Sequence, residues 1–369
     1  MSLLNRFAAG VLGAACLLGA GACGKAGETA DGDNVAANGP GEALRIGLLL
    51  PENKTARYEA FDRPLIEQDV KALCPQCTVL YQNAQQDAAR QQVQADSLLS
   101  QGIHALILDA VDAKAAGGIV ARAKEQGVPV VAYDRFASGP VDYFVTFDNE
   151  KVGQEQGKAL IEALRRGGDL KRGPIVMING SATDPNAADF KRGAHSVLDG
   201  QVEIGFETDT PDWSPDKAQQ EVEQALTKLG AHRVIGIYAA NDGMASGAIA
   251  ALKGQGVEPL PPVTGQDAEL AGIQRILAGD QHMTIYKPYV SEARTAAAMA
   301  VAAARRQPYA DPTVELTNAS GDKVPSVLLP VVVVTRDNVK TTVLADGIYS
   351  LAQICAEPFA AACKEAGLE

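Results

Sequence analysis

The sequence predicts an α/β protein built on parallel sheets. From Leu44 onward, short apolar runs alternate with longer amphipathic stretches, which is the pattern of βαβ units. Glycines that directly follow amphipathic stretches, at Gly102 and Gly127, are typical helix stops. Of the 369 residues, 46% are hydrophobic and 21% are charged, which is enough apolar material to bury one or two domains.

Eight apolar runs are predicted to be strands, namely 44–50, 103–109, 128–133, 174–179, 201–207, 233–239, 261–265 and 282–286. Helices are predicted in the gaps between them. The segment from Asp87 to Gln101 is one example, because Val93, Leu98 and Leu99 stand among polar residues there. In open α/β sheets a ligand binds at the carboxyl ends of the strands, so the residues that follow each strand are candidates for a site.

The charge of the chain argues against a nucleic-acid partner. The formal net charge is -12 and the pI is near 4.9. Phosphate backbones are bound by clustered Lys and Arg, and the sequence contains no such cluster. We therefore predict no binding to nucleic acid.

Residues 1–23 have the form of an export signal that ends in a lipobox. A basic residue is followed by an apolar run that ends at Ala22 and is too short to span a bilayer. Small residues stand directly before Cys23, so we predict that this cysteine is lipidated, with Cys16 as the second candidate. Residues 24–43 are rich in Gly, Ala, Asn and Asp and are predicted to be a flexible linker.

The other four cysteines form two close pairs, Cys74 with Cys77 and Cys355 with Cys363. Outside the cytoplasm this spacing favours local disulfides. The first pair also matches a redox motif, but it follows a predicted helix instead of starting one, where a helix dipole would activate a thiol. No metal site is predicted, because the single CxxC lacks a second half and the four histidines are scattered.

Polar and charged residues follow most of the predicted strands. The candidates in chain order are Arg57, Tyr58, Asp134, Arg135, Asn186, Asn241, Asp267 and Lys287. A single Asp or Asn at a strand end is best explained as a helix N-cap, and we expect that role for Asp112 and Asp242. Capping does not explain the cations Arg57, Arg135 and Lys287, because a helix dipole disfavours positive charge at its N-terminus. Mixed charges and amides on successive strand ends predict a site for a neutral polyol.

Several longer motifs resemble one family. They are ARYEAFDR, VVAYDR, VTFDNEKVG, NAADFKRGA, AANDGMASGAI, GQDAELAGIQRILAG, MTIYKP and VPSVLLPVVV. In order and spacing they resemble the xylose-binding and multiple-sugar-binding branch of the ribose-type (type I) periplasmic binding proteins. The resemblance runs from about residue 44 to about residue 340.

The resemblance implies two Rossmann-like lobes with parallel sheets, joined by a three-strand hinge. The N-terminal lobe is expected to contain residues 44–146 plus about 288–320. The C-terminal lobe is expected to contain residues 147–287 plus about 321–369.

The resemblance also implies which residues hold the ligand. Tyr58 and Trp213 are expected to cover the two faces of a sugar ring, whose axial hydrogens pack on a π surface. Trp213 is the only tryptophan, and a role as a core anchor is its alternative, although its flanks have the composition of a loop.

The hydroxyl groups of the sugar are expected to meet charged and amide side chains. Asp134 and Asp267 match hydrogen-bond acceptors, Arg135 and Lys287 match donors, and Asn186 and Asn241 suit both roles. Arg57 is a further expected contact. Weaker candidates are Lys54, Asp148, Asn149 and Gln266, and for Asp148 and Asn149 a hinge or capping role is equally expected.

The expected function is that of a solute-binding lipoprotein. It would close its lobes on one monosaccharide, D-xylose before other aldopyranoses, and deliver it to an ABC transporter permease. A receptor for a membrane sensor kinase or a chemoreceptor is the alternative. The expected location is the periplasm or the outer face of the cell membrane, held by the lipid anchor, and the expected state is a monomer without cofactor.

Two other classes fit the sequence less well. Asp134 and Asp267 could be a glycosidase pair, but a cation beside each acid favours two carboxylates over the one protonated acid that hydrolysis needs. No catalytic residue is therefore predicted. A repressor with the same fold would need a DNA-binding headpiece, where this chain has an export signal and a linker.

Overall fold

The computed structural model describes residues 42–168, 170–311 and 313–368. Its largest sheet contains seven strands. They are β1 (Arg45–Leu50), β2 (Thr78–Asn83), β3 (Ala105–Leu108), β4 (Val130–Tyr133), β5 (Tyr143–Phe147), β10 (Val314–Thr317) and β11 (Lys323–Leu329). The spatial order is β10-β11-β5-β4-β3-β1-β2, and every pairing is parallel except that of β10 with β11.

Helices cover both faces of this sheet and complete the first lobe. They are α1 (Arg63–Leu73), α2 (Ala88–Ser100), α3 (Gly117–Glu125) and α9 (Tyr289–Ala304), with a π-helical turn (Tyr58–Asp62) directly before α1. One core cluster places α1 and α9 against the sheet, and a second places α2 and α3 against its other face. Two buried faces explain why β1, β3 and β4 are almost entirely apolar.

The second lobe is built around three parallel strands in the order β7-β6-β8. These are β6 (Pro174–Asn179), β7 (Glu203–Asp209) and β8 (Gly236–Ala239); Ile237 of β8 also forms a single bridge with Val263. A separate antiparallel pair joins β9 (Thr284–Tyr286) to β12 (Val332–Val334).

The helices of the second lobe are α4 (Asn149–Arg166), α5 (Pro185–Leu198), α6 (Pro215–Leu229), α7 (Asp242–Gly254), α8 (Leu270–Ala278), α10 (Leu351–Ile354) and α11 (Ala360–Glu365). The two helices α4 and α5 pack in direct backbone contact. A Cβ on Gly153 of α4 would lie 1.9 Å from the carbonyl oxygen of Phe190 in α5, so only glycine permits this approach. The contact fixes the position of Phe190.

The chain passes between the lobes three times. It leaves the first sheet after β5, returns between β9 and α9, and leaves again between β11 and β12. The first and third crossings touch, because the backbone N–H of Asp148 donates to the carbonyl of Leu329 at 3.2 Å. Three adjacent crossings form the expected hinge.

The lobe boundary near residue 321 was placed too early. Strand β11, residues 323–329, pairs in parallel with β5 and therefore belongs to the first sheet. The third crossing follows Leu329. From Val332 onward the chain packs with α8 in a separate apolar cluster that includes Val339 and Ile354.

Seven of the eight predicted strands overlap a strand of the structure. The run 261–265 does not, since it contributes only the bridge at Val263. Strands β2, β5, β10, β11 and β12 were absent from the eight predicted runs. Strand β2, with the sequence TVLYQN, is only half-buried and carries polar residues, as expected of a strand at the sheet edge.

The structure contains two disulfides, which join Cys74 to Cys77 and Cys355 to Cys363. Cys16 and Cys23 lie outside the described residues. Among the helices that the structure describes, none combines the length and the apolar character needed to span a bilayer.

Candidate functional site

A small polar pocket lies between the two lobes. All nine residues expected to hold the ligand line it: Arg57, Tyr58, Asp134, Arg135, Asn186, Trp213, Asn241, Asp267 and Lys287. Gln266, a weaker candidate, also lines it, together with Thr55, Asp184 and Phe190, which were not singled out from the sequence.

Arg57 lines the pocket, and its side chain is fixed by hydrogen bonds to two acidic residues, Asp62 and Glu292. Its Nε donates to Asp62 Oδ2 at 2.7 Å, and its Nη2 donates to Asp62 Oδ1 at 3.0 Å and to Glu292 Oε2 at 2.7 Å. Its Nη1 lies 3.5 Å from Asp134 Oδ2 and has no hydrogen-bond partner among the described residues. Asp62 and Glu292 therefore use one side of the guanidinium and leave Nη1 for the pocket.

Asp134 follows β4 and has a left-handed backbone, with φ of 55°. Its carboxylate is 3.4 Å from the Tyr58 hydroxyl, which donates to it. Burial opposes ionisation of this carboxyl, but nearby positive charge, Arg57 above all, outweighs burial and lowers the pKa of Asp134. Asp134 is thus a carboxylate that accepts hydrogen bonds over a wide pH range.

Arg135 connects the two lobes at the base of the pocket. Its Nε lies 2.9 Å from Asp184 Oδ2 in the second lobe and 3.5 Å from Asp109 Oδ1 in the first. Burial raises the pKa of Asp184, and the charge of Arg135 acts against that rise. Asp184 also caps α5, because it accepts from the backbone N–H of Asn186 at 2.9 Å. The ion pair of Arg135 with Asp184 therefore lies at the N-terminus of this helix.

Two aromatic side chains of the second lobe line the pocket. Trp213 and Phe190 meet edge to face, with ring centroids 6.2 Å apart. The Trp213 Nε1 donates to Asp184 Oδ2 at 3.2 Å, and its six-membered ring packs against Gly180. Trp213 is only 5% exposed but lines the pocket, so it contributes both to the core and to the site.

The two predicted asparagines have different roles. The Asn186 Nδ2 donates to the carbonyl of Asp134 at 3.1 Å, which links the lobes directly. The Asn241 Oδ1 accepts from the Met244 N–H at 2.8 Å, so Asn241 is the N-cap of α7. Capping uses the carbonyl oxygen of Asn241 and leaves its amide nitrogen for a ligand.

The expectation that Asp242 caps this helix was wrong, because Asn241 occupies the cap. The Asp242 carboxylate is instead fully buried and accepts from Gln281 at 2.6 Å and from Thr284 at 3.0 Å. Asp112 is not the N-cap of α3 either, because Ala116 occupies that position; the Asp112 carboxylate accepts from the Ala115 N–H at 2.8 Å in the turn before the helix.

Asp267 and Lys287 form the remaining charged pair of the pocket. The Lys287 Nζ lies 3.3 Å from Asp267 Oδ1, and both side chains are at most 5% exposed. Asp267 has φ of 86°, and the Tyr289 hydroxyl donates to its carbonyl at 2.6 Å. Backbone strain of this kind concentrates at functional sites. It recurs at Trp213, where φ is 54°.

Three weaker candidates do not line the pocket. Lys54 is exposed. Asp148 is the N-cap of α4, where it accepts from the Lys151 N–H at 3.0 Å. The Asn149 amide donates to Asn186 Oδ1 at 2.8 Å and so supports a pocket residue from behind.

Four buried polar atoms of the pocket residues have no hydrogen-bond partner among the described residues. They are Arg57 Nη1, Arg135 Nε, Gln266 Oε1 and Asp267 Oδ1. Two are donors and two are acceptors. Arg57 Nη1, Arg135 Nε and Asp267 Oδ1 each face an opposite charge at 3.5, 2.9 and 3.3 Å, but none of them makes a hydrogen bond. The charged lining residues are three cations and three carboxylates, so their formal charges cancel. The described residues contain no group of three or more His, Cys, Asp or Glu that could hold a metal ion.

Two α/β lobes, three crossings and a polar pocket between the lobes define a two-lobed solute-binding protein. A family model described as "Periplasmic binding protein domain" matches residues 46–308. The chain belongs to this family, and its fold is the type I periplasmic binding protein fold.

Among curated relatives, the D-xylose-binding periplasmic protein of Escherichia coli (strain K12) is 34% identical over 328 residues, which cover 87% of this chain and 95% of that protein. The multiple sugar-binding periplasmic protein SbpA of Azospirillum brasilense is 33% identical over 331 residues, which cover 84% and 90%.

A solved structure of an ABC transporter solute-binding protein from Clostridium phytofermentans with bound β-D-glucose superposes with a TM-score of 0.75. It is 28% identical in sequence, and the match covers 84% of this chain and 99% of that chain. All three similar proteins are binding proteins, and the two curated relatives are periplasmic.

Proposed function

We propose that this protein binds one neutral monosaccharide in the pocket between its lobes, D-xylose before other aldopyranoses, and delivers it to an ABC importer. The observation that carries the proposal is the set of four buried polar atoms in the pocket that make no hydrogen bond within the described residues. A sugar hydroxyl donates and accepts at the same time, so it can form hydrogen bonds with both the donors and the acceptors among them.

The charge of the pocket supports a neutral ligand. Because three cations and three carboxylates line it, an added ammonium or carboxylate group on the ligand would leave one buried charge without a counterpart. The aromatic side chains Phe190 and Trp213 supply the apolar surface that the ring face of a pyranose requires. Tyr58 is proposed to cover the opposite face. The names of the relatives support D-xylose as the first candidate.

Closure of the lobes is proposed to accompany binding. Residues from both lobes line the pocket, so the ligand contacts both only when they are together. Direct contacts such as Arg135 with Asp184, at 2.9 Å, add to the stability of that closed state.

Isothermal titration calorimetry of the purified protein with D-xylose, D-glucose, D-galactose, L-arabinose and D-ribose tests the proposal. We expect binding to at least one of them, tightest for D-xylose. D-Glucosamine and D-glucuronate serve as charged controls and should bind at least about tenfold more weakly than D-glucose, because each adds an unbalanced buried charge. Absence of heat with every neutral sugar would refute the proposal.

We further propose that acyl chains on Cys23 hold the protein at the outer face of the membrane, within reach of a permease. Small residues before this cysteine support the assignment. Expression of the Cys23→Ser variant should release the protein into the soluble fraction, and unchanged membrane attachment would argue against Cys23.

A further inference from the structure

A buried cluster of charged and polar side chains lies directly behind the pocket. The Arg57 cluster consists of Arg57, Asp62, Tyr133 and Glu292, each at most 2% exposed. Asp62 binds the guanidinium through both oxygens, and the Tyr133 hydroxyl donates to Asp62 Oδ1. Glu292 Oε2 accepts from Arg57 Nη2 at 2.7 Å, while Glu292 Oε1 has no partner among the described residues.

The members of this cluster come from four separate parts of the first lobe. Arg57 lies between β1 and α1, and Asp62 ends the π-helical turn. Tyr133 ends β4, and Glu292 lies in the first turn of α9, directly after the second crossing between the lobes. The cluster therefore connects a pocket residue to the helix that follows the hinge.

The hydrogen bonds of the cluster leave a gap on the pocket side. Arg57 Nη1 and Asp134 Oδ2 are 3.5 Å apart, and Nη1 forms no hydrogen bond. An arginine and a carboxylate in a buried site normally pair at about 2.7–2.9 Å. Asp62 and Glu292 occupy the N–H groups on the far side of the guanidinium and restrain it from moving toward Asp134.

We propose that Glu292 and Asp62 are positioning residues that keep Arg57 apart from Asp134, so that Arg57 Nη1 and Asp134 Oδ2 stay available as a donor and an acceptor for one hydroxyl group of the ligand. The inference rests on the proposed function. Without Glu292, Arg57 can turn toward Asp134 and shorten their 3.5 Å contact to a hydrogen-bonded ion pair, which the ligand would then have to break.

A gain in stability does not by itself explain why two acidic side chains, Asp62 and Glu292, both accept hydrogen bonds from the guanidinium of Arg57. Burial raises the pKa of Glu292 well above its ordinary value, and Arg57 only partly offsets this. Glutamine keeps a side-chain oxygen that can accept from Arg57 Nη2, as Glu292 Oε2 does now. Exchanging buried ionic groups for apolar ones of similar volume is often neutral or stabilising, so stability is a weak explanation for these acids.

Two substitutions of the same residue test the inference. In Glu292→Leu the hydrogen bond to Nη2 is lost, and the dissociation constant of the sugar that binds the wild type most tightly should rise on the order of tenfold or more. In Glu292→Gln the side-chain oxygen can still accept from Nη2, so the dissociation constant should stay within about threefold of the wild type.

Met299→Ala is the matched control, because Met299 is fully buried on the same helix and in the same core as the cluster. It should lower the melting temperature without changing the dissociation constant. Wild-type affinity in Glu292→Leu would overturn the inference, as would equal weakening in the Gln and Leu variants.

If the Glu292→Leu variant does not fold, the Asp62→Asn variant provides the test instead. Its amide nitrogen would face an N–H of Arg57 where a carboxylate oxygen now accepts, so a loss of affinity of similar size is expected. Unchanged affinity in Asp62→Asn would also overturn the inference. A wild type that binds no sugar refutes the proposed function instead, so the two failures are distinguishable.

Discussion

Asp134 illustrates how the surroundings of one residue set its chemistry. It is 3% exposed, and yet the positive charges around it, Arg57 first, keep its carboxyl ionised. Its left-handed backbone is a conformation that Asp and Asn tolerate better than other non-glycine residues. Both properties place a charged acceptor in the pocket. Asp134→Asn is the mildest substitution that removes this charge, because asparagine also tolerates the left-handed backbone.

Asp242 shows the opposite outcome for a buried acid. Burial raises the pKa of its carboxyl to about 7, although Arg275 and hydrogen bonds from Gln281 and Thr284 act against the rise. A raised pKa means that the folded protein keeps this proton at a pH where the unfolded chain has released it. The free energy of unfolding should therefore fall as pH rises from about 4 to about 7.

This dependence is testable with Asp242→Asn, which cannot titrate. The variant should be less stable than the wild type at pH 5, because its amide nitrogen faces hydrogen-bond donors. The difference between the two melting temperatures should then shrink from pH 5 to pH 8, since Asp242 costs the wild type up to about 1.4 kcal/mol per pH unit in this window. A difference that stays constant over this range would contradict the raised pKa.

At the scale of elements, the site is made by the segments that follow the strands. Asp134, Asn186, Asn241 and Asp267 could be predicted from the sequence because each closely follows a predicted strand. Phe190 could not, since it lies on α5 and resembles any apolar helix residue. Its place in the pocket depends on the close approach of α4 and α5, which only the folded structure reveals.

Arg57 shows a second limit of sequence reasoning. The sequence indicated that it is not a cap, but its two main partners, Asp62 and Glu292, are 5 and 235 positions away. No local pattern connects Arg57 with α9. The same limit explains the misplaced lobe boundary, because the pairing of β11 with β5 is a long-range contact.

The segment that follows β6 offers a test of how Trp213 is placed. A Cβ on Gly180 would lie 2.0 Å from Cη2 of Trp213, so Gly180→Ala must displace the ring. We expect sugar affinity to fall about tenfold or more and the fluorescence of Trp213 to change. Gly254→Ala in α7 is the control, because a Cβ there meets nothing within 4 Å. It should leave affinity unchanged and raise stability by up to about 1 kcal/mol. Equal affinity in the two variants would contradict this placement of Trp213.

At the scale of the whole molecule, the pocket exists only where the two lobes meet. Arg135 and Asp134 from the first lobe contact Asp184 and Asn186 from the second, at 2.9 and 3.1 Å. The two-lobed architecture with three crossings was expected from the family resemblance, whereas periodicity alone predicted only an α/β fold. A ligand that contacts both lobes favours the closed arrangement by its difference in affinity for the closed and open states.

Small-angle X-ray scattering of the purified protein with and without saturating D-xylose tests this account most directly. The radius of gyration of the wild type should decrease when the sugar is added, because the lobes close on it. The Asp134→Asn variant, which lacks the charged acceptor, should show no decrease at the same sugar concentration. A wild type that binds D-xylose by calorimetry without any decrease in its radius of gyration would contradict the account.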